Sequence, residues 1–229
     1  VHDLPGSSED FSEIMSVLSR TRTVISFDIP GNGNSFVNLQ NNLKFDYFVE
    51  IFDNLISELG VKNYDIYGRG FGGYLSLLLS KKAELNPRRI IIDRLKLLTK
   101  KEKEKLIYLN KESLKIMDDG SHLLKIWRMI NKTNIFFPWY NKKGMILQHT
   151  KKEFTELKLD SMFMSIFNNH KSYPLVFKKI ISCKFIDYLN NLSNLILVIK
   201  ESNNKNKLVD KNIKINNNSK NYIISEFIH

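Results

Sequence analysis

The run Gly68-Arg69-Gly70-Phe71-Gly72-Gly73 follows the stretch Tyr64-Asp65-Ile66-Tyr67 and precedes Tyr74-Leu75-Ser76-Leu77, so four glycines stand between a strand signal and a helix signal. A strand that enters a helix through Gly-x-residue-x-Gly-Gly has the geometry of a nucleophile elbow, a sharp turn that lifts one side chain above the sheet. Gly68 and Gly72 flank the tip, where strand and helix crowd together and a side chain has no room. The tip residue takes a backbone conformation that costs most residues on the order of 1–3 kcal/mol. Nucleophilic chemistry on such a turn needs a side chain such as a serine hydroxyl at the tip, and the tip here is Gly70. Glycine relieves the strain and supplies no oxygen. A phosphate-binding loop is the competing reading, but G-x-x-x-x-G-K-[ST] is absent and no acid follows at the distance a dinucleotide site requires.

The elements that must position this turn are legible on both sides of it. "RTVISFDIPGNGNSF" carries a β-branched apolar run from Val24 to Phe27 and then a Pro-Gly-Asn-Gly turn, which predicts a strand and a loop. In "LKFDYFVEIFDNLISELG", Phe45, Phe48, Val49, Phe52, Leu55, Ile56 and Leu59 follow the spacing of one buried helical face, with Gly60 as the stop. "NYDIY" predicts the next strand, "GGYLSLLLSKKAEL" a helix closed by Asn86-Pro87, and "RRIIID" another strand. This alternation indicates parallel strands joined by crossover helices, an α/β architecture.

From Leu95 to Pro174 the pattern turns helical without obvious strands and holds Trp127, Phe136, Phe137, Trp139, Tyr140, Phe163 and Phe167, as an inserted cap would. Within it, Leu123, Trp127 and Ile130 are expected to pack on one face, with Phe136 and Phe137 beneath. Then come a helix in "VFKKIISCKFIDYL", a strand in "LILVIK", a polar Asn-rich loop and a last strand in "YIISEF". The expected organisation is 1–94 as the first part of a core, 95–174 as a helical cap and 175–229 as the rest of the core.

Three motifs in order resemble the α/β-hydrolase superfamily. "HDLPGSSEDF" is similar to that family's His-Gly-x-Pro-Gly-Ser-Ser motif, "FDIPGNGNS" to its Asp-x-Pro-Gly-His-Gly-x-Ser motif, and "YGRGFGG" stands for Gly-x-Ser-x-Gly-Gly. "DGSHLLKIWRMINKTNIFFPWY" also resembles the cap of a bacterial hydrolase subgroup. The resemblance implies a mostly parallel sheet with flanking helices and an inserted cap, and the activity of an ester or small-molecule hydrolase with a small apolar or ester-like ligand. It also implies site residues. Gly70 holds the nucleophile position, and the oxyanion hole falls to the backbone N–H groups of Leu4 and Phe71. In "KESNN" Lys200 stands for the family glycine and Asn203 for the acid, with Glu201 nearby and Asp93 as an alternative acid. His229, after the last strand, is the candidate base.

The same resemblance marks departures. Asp3 replaces the glycine of the His-Gly motif and puts a carboxylate beside a pocket meant for developing negative charge. Losing a nucleophilic serine costs about 10⁶-fold in turnover, so catalysis is expected to be impaired. The alternative is a noncatalytic pocket-binding or scaffold protein of the same fold. Ser7 and Ser8 are assigned a turn-forming role. His122 is a lone helix histidine, read as structural. The first motif begins at His2, whereas the family places three strands before it. The N-terminal strands are therefore expected to be missing, the chain a fragment, and the strand edges around Val24 and Ile66 unfilled.

Composition bounds the remaining classes. With 229 residues and 42% hydrophobic content the chain is long enough for a real core. The formal charge is +11, but Lys is spread among Asn and Ile as an A/T-rich genome would spread it, and no interleaved basic and aromatic stripe speaks for nucleic acid. Cys183 is the single cysteine, so no disulfide framework, metal site or cofactor is expected, and a reducing, cytoplasmic setting is compatible. No run reaches the roughly 18 apolar residues of a membrane span.

Overall fold

The computed structural model describes residues 1–37, 44–80, 87–142, 145–146, 155–185, 187, 195–201 and 222–227. They divide into two compact units, one of Val1 with 41–97 and 179–229, the other of 2–40 with 98–178.

The first unit is built on a parallel sheet. Strands β1 (Asp65–Arg69) and β2 (Arg89–Asp93) pair in register, Ile66 against Ile90 and Gly68 against Ile92. Farther along the chain, β5 (Leu195–Glu201) pairs with β2, and β6 (Tyr222–Phe227) with β5, giving the order β1-β2-β5-β6. Alternation sets the core: Ile90 and Ile92 on β2 and Ile196 and Val198 on β5 are wholly buried. β1 runs two residues beyond the predicted "NYDIY", through Gly68 and Arg69. Along its other edge Val1 lies in a parallel bridge, its amine donating to Tyr67 O at 2.6 Å and its carbonyl accepting from Arg69 N–H at 3.1 Å. Helix α2 (Phe45–Glu58) buries Phe48, Val49 and Phe52, and Gly60 with φ +63° follows its end. Helix α3 (Gly72–Leu79) is buried along its whole length.

In the second unit, a 3-10 turn (Ser8–Phe11) leads into α1 (Ser12–Leu18). Helix α4 (Lys100–Ser113) starts at a capping box in which Thr99 and Glu102 satisfy each other's backbone N–H groups. Helices α5 (Ser121–Thr133) and α6 (Glu156–Asn168) follow, and then α7 (Tyr173–Ile181), whose residues from Lys179 on are counted in the first unit. Between α5 and α6, β3 (Phe136–Phe137) and β4 (Met145–Ile146) form a two-residue antiparallel ladder in a segment expected to be strandless.

Three further expectations are corrected. Residues Val24 to Phe27 form no ladder among the described residues, and Ile25 is 41% exposed. A β-branched run becomes a strand only where a neighbour supplies the hydrogen bonds. On α5 the buried face is Ile126, Met129 and Ile130, whereas Leu123 and Trp127 are each 38% exposed; Ile130 alone of the expected trio is inside. Cys183 is buried as expected but sits just beyond the end of α7 rather than on a helix. The loop between β5 and β6, Asn86 and the end of the helix expected after Gly73 lie outside the described residues.

Candidate functional site

The glycine turn joins β1 to α3. Gly70 has φ +54°, left-handed backbone that favours glycine. Its N–H donates to Asp93 O at 2.8 Å, and its carbonyl accepts from Gly73 N–H at 3.2 Å, which starts the first turn of α3. Two other glycines are required by contact. A Cβ on Gly68 would lie 2.8 Å from both Gly72 O and Gly73 Cα, and one on Gly73 would lie 2.7 Å from Ile92 Cγ2. The close approach inferred for Gly68 is therefore explained by the backbone of α3 itself, and Gly73 meets Ile92 of β2.

Phe71 is buried at the helix start, edge-on to the Tyr74 ring at 5.7 Å and beneath the Lys96 ammonium, 5.3 Å from the ring centroid. The Tyr74 hydroxyl donates to Lys96 O at 2.6 Å, which ties the segment after β2 to α3.

Asp93 ends β2 beside this turn. Its carboxylate accepts from the Tyr67 hydroxyl at 2.6 Å and stands 3.9 Å from Arg69 Nε. Burial, then the charge and hydrogen bond of Asp93, push the Tyr67 phenol well above its ordinary range, so it remains a donor at any working pH. Tyr67 was not singled out from sequence. Its contact depends on the parallel register, which sets Tyr67 two residues before Arg69 on β1, the residue paired with Asp93.

The other motif residues fold among themselves in the second unit. His2 is fully buried, with Nδ1 2.7 Å from Asp3 O and Nε2 accepting from Ile29 N–H at 2.9 Å. Those contacts fix the tautomer with the proton on Nδ1, and burial lowers the imidazole to about 4, so His2 is neutral. The Asp28 carboxylate accepts from Ser8 N–H at 2.6 Å and Asn34 N–H at 2.8 Å. Burial pushes that carboxyl up, but the hydrogen bonds from Ser8 and Asn34 outweigh it, and the net shift is downward. Ser165 on α6 clamps both loops: its hydroxyl donates to Gly6 O at 3.0 Å and accepts from Gly33 N–H at 2.7 Å. Asn169 adds a bond to Gly33 O at 2.8 Å.

Leu4 is buried, and its N–H donates to the Asp3 carboxylate, Oδ1, at 2.7 Å. The residue that departs from the family motif thus engages the very donor expected to meet an oxyanion. Ser8 serves the loop through its backbone, and His122 accepts from Met117 N–H at 3.2 Å ahead of α5. Gly70, Phe71 and Asp93 come together in the first unit and Leu4 lies in the second. Asn203 and His229 are outside the described residues, as are the side chains of Lys200 and Glu201. Among the described residues no group of three or more His, Cys, Asp or Glu is arranged to hold a metal, and no helix is long and apolar enough to cross a membrane.

Residues 1–93 match the family model described as alpha/beta hydrolase fold. No curated protein matches in sequence. Among solved structures, the chain is similar to MenH from S. aureus, with 13% identity and TM-score 0.70 over 99% of this chain and 82% of that one. It is also similar to a carboxylesterase from the thaumarchaeon Nitrososphaera gargenis (12%, TM-score 0.73, 99% and 79%). The enol-lactonase of Burkholderia xenovorans LB400 is a further likeness (12%, TM-score 0.71, 99% and 80%). At these identities the structural likeness speaks for the fold. The chain has the alpha/beta hydrolase fold, shown by these structural likenesses together with the model that residues 1–93 match.

Proposed function

We propose that this chain is a relative of ester and small-molecule hydrolases that retains the strand-to-helix corner of a nucleophile elbow and is impaired as a serine hydrolase. The observation that carries the reading is Gly70 at that corner, φ +54°, with no side chain to present. Asp3 on the Leu4 N–H supports it, because a fixed carboxylate competes with any developing oxyanion for that donor. In this reading Phe71 N–H and Leu4 N–H are the oxyanion donors and His229 the base. Asn203 holds the acid position as an amide, and Asp93 is the alternative acid. The contacts of Asp93 with Tyr67 and Arg69 favour a strand-end role for it instead.

Hydrolysis of an activated phenyl ester by the native chain and by Gly70→Ser tests the proposal. Turnover at the uncatalysed rate in the native chain and a measurable rise in Gly70→Ser is the expected result. Equal, serine-independent turnover in both would sink it. Saturable binding of an apolar ester analogue by the native chain, without turnover in either protein, would favour the noncatalytic pocket-binding reading.

A further inference from the structure

Tyr173 opens α7, and the fold makes no use of its hydroxyl. The residue is 1% exposed, and among the described residues its hydroxyl is one of five buried side-chain polar atoms without a hydrogen-bond partner. The other four have engagements nearby. Asp65 faces the Arg89 guanidinium at 3.7 Å, and Ser7 belongs to a capping box with Asp10. Asn32 donates to Ile29 O through Nδ2 at 3.4 Å, and His170 Nδ1 lies 3.0 Å from Phe167 O. Tyr173 has one polar side-chain atom, and that atom is the orphan. A buried hydroxyl in this state costs stability that phenylalanine at the same place would not.

The ring is held too firmly to carry its hydroxyl elsewhere. Tyr173 N–H donates to Asn169 O at 2.7 Å, Asn169 in turn holds Gly33 O at 2.8 Å, and the ring stacks on Phe177 at 5.7 Å. Burial pushes the phenol well above its ordinary range, and the negative charge of Asp3 adds to the rise, so the group stays protonated. It is a fixed donor in the field of the carboxylate that occupies Leu4 N–H at 2.7 Å. Tyr173, Asp3 and Leu4 all belong to the second unit. The chemistry of a ligand at this place follows from the pair. An uncharged acceptor oxygen satisfies the phenol, an anion is repelled by Asp3, and a hydrocarbon leaves the hydroxyl as it was.

We propose that the Tyr173 hydroxyl is a specificity-determining donor at the Leu4 loop, taking the carbonyl oxygen of an uncharged ester-type ligand, while Asp3 rejects the corresponding carboxylate. This rests on the reading of that loop as part of a ligand pocket. It sets function against stability at one atom, which a structural hydroxyl would not do.

Binding of methyl benzoate, benzoate and propylbenzene is measured by titration calorimetry for the native chain, Tyr173→Phe and Asp3→Asn, and the urea midpoint of each free chain is recorded. The native chain is expected to prefer methyl benzoate to benzoate at least about tenfold. Tyr173→Phe is expected to lose about tenfold for methyl benzoate and nothing for propylbenzene, with an equal or higher urea midpoint. Asp3→Asn, which keeps an acceptor for Leu4 N–H, is expected to narrow the preference against benzoate. A lower midpoint in Tyr173→Phe would show that the hydroxyl has a partner in the free chain and overturns the proposal. So does undiminished binding of methyl benzoate by Tyr173→Phe, an unchanged preference in Asp3→Asn, or no binding of the ester by the native chain. Turnover gained in Gly70→Ser together with undiminished ester binding by Tyr173→Phe discards Tyr173 and keeps the hydrolase reading. The full binding pattern without turnover in Gly70→Ser supports Tyr173 and discards the lost nucleophile.

Discussion

The backbone N–H of Leu4 donates to the carboxylate of Asp3 at 2.7 Å, one residue away in sequence. A donor already facing a full negative charge is a poor receiver for another. In the Gly70→Ser background, Asp3→Gly is therefore expected to raise ester turnover by about 10²-fold, the worth of one oxyanion donor. Equal rates in Gly70→Ser and the double variant would remove Asp3 from the explanation.

Gly68→Ala tests the corner independently of catalysis. The added methyl would meet backbone atoms of Gly72 and Gly73 at 2.8 Å, which cannot swing aside as a side-chain end can. A loss of about 1–3 kcal/mol is expected from urea unfolding. Gly120→Ala is the control: φ is +72° there but nothing lies within 4 Å, so only the cost of left-handed backbone, about 1–2 kcal/mol, applies.

Tyr67→Phe removes the hydrogen bond to Asp93 and leaves that carboxylate with Arg69 at 3.9 Å. Stability is expected to fall by about 1–3 kcal/mol, the cost of leaving a charged, mostly buried acceptor short of a partner. Adding Asp93→Asn to Tyr67→Phe should recover part of that loss, which a thermodynamic cycle of the two substitutions measures.

His2 sets a pH dependence of known sign. Its folded value, about 4, lies below the ordinary 6.5, so between those values the unfolded chain binds more protons. Its contribution is complete above about pH 6.5 and is lost as pH falls toward 4, amounting to about 3 kcal/mol. His2→Asn, which can still accept from Ile29 N–H but does not titrate, should flatten the fall in unfolding free energy between pH 6.5 and 4. An unchanged slope would contradict the buried neutral imidazole.

The parts of the fold legible in the sequence were those fixed by local signals. β2 and α2 begin and end close to their hydrophobic patterns because Phe48 and Phe52, or Ile90 and Ile92, show the period of the element directly. Val24 to Phe27 carries the same signal without becoming a strand, since pairing is decided by a neighbour the pattern does not contain. On α5 periodicity identified a helix but chose the wrong face: Leu123 and Trp127 fit a 3-and-4 spacing as well as Ile126 and Ile130 do. At the site, the turn around Gly70 was readable from glycine spacing. The Tyr67–Asp93 bond and the Leu4–Asp3 contact were not, because each depends on register or on a side-chain rotamer.

Ser165 reaches Gly6 and Gly33 across 159 and 132 residues of chain, and Asn169 reaches Gly33 across 136. Contacts so distant in sequence pay their loop-closure entropy late, after neighbouring elements have formed. The glycine corner between β1 and α3 relies on partners a few residues away or on the adjacent strand. The two loop motifs are thus expected to acquire order after that corner, and the amides of Ile29, Gly33 and Asn34 should gain protection from solvent exchange after those of β1 and α3.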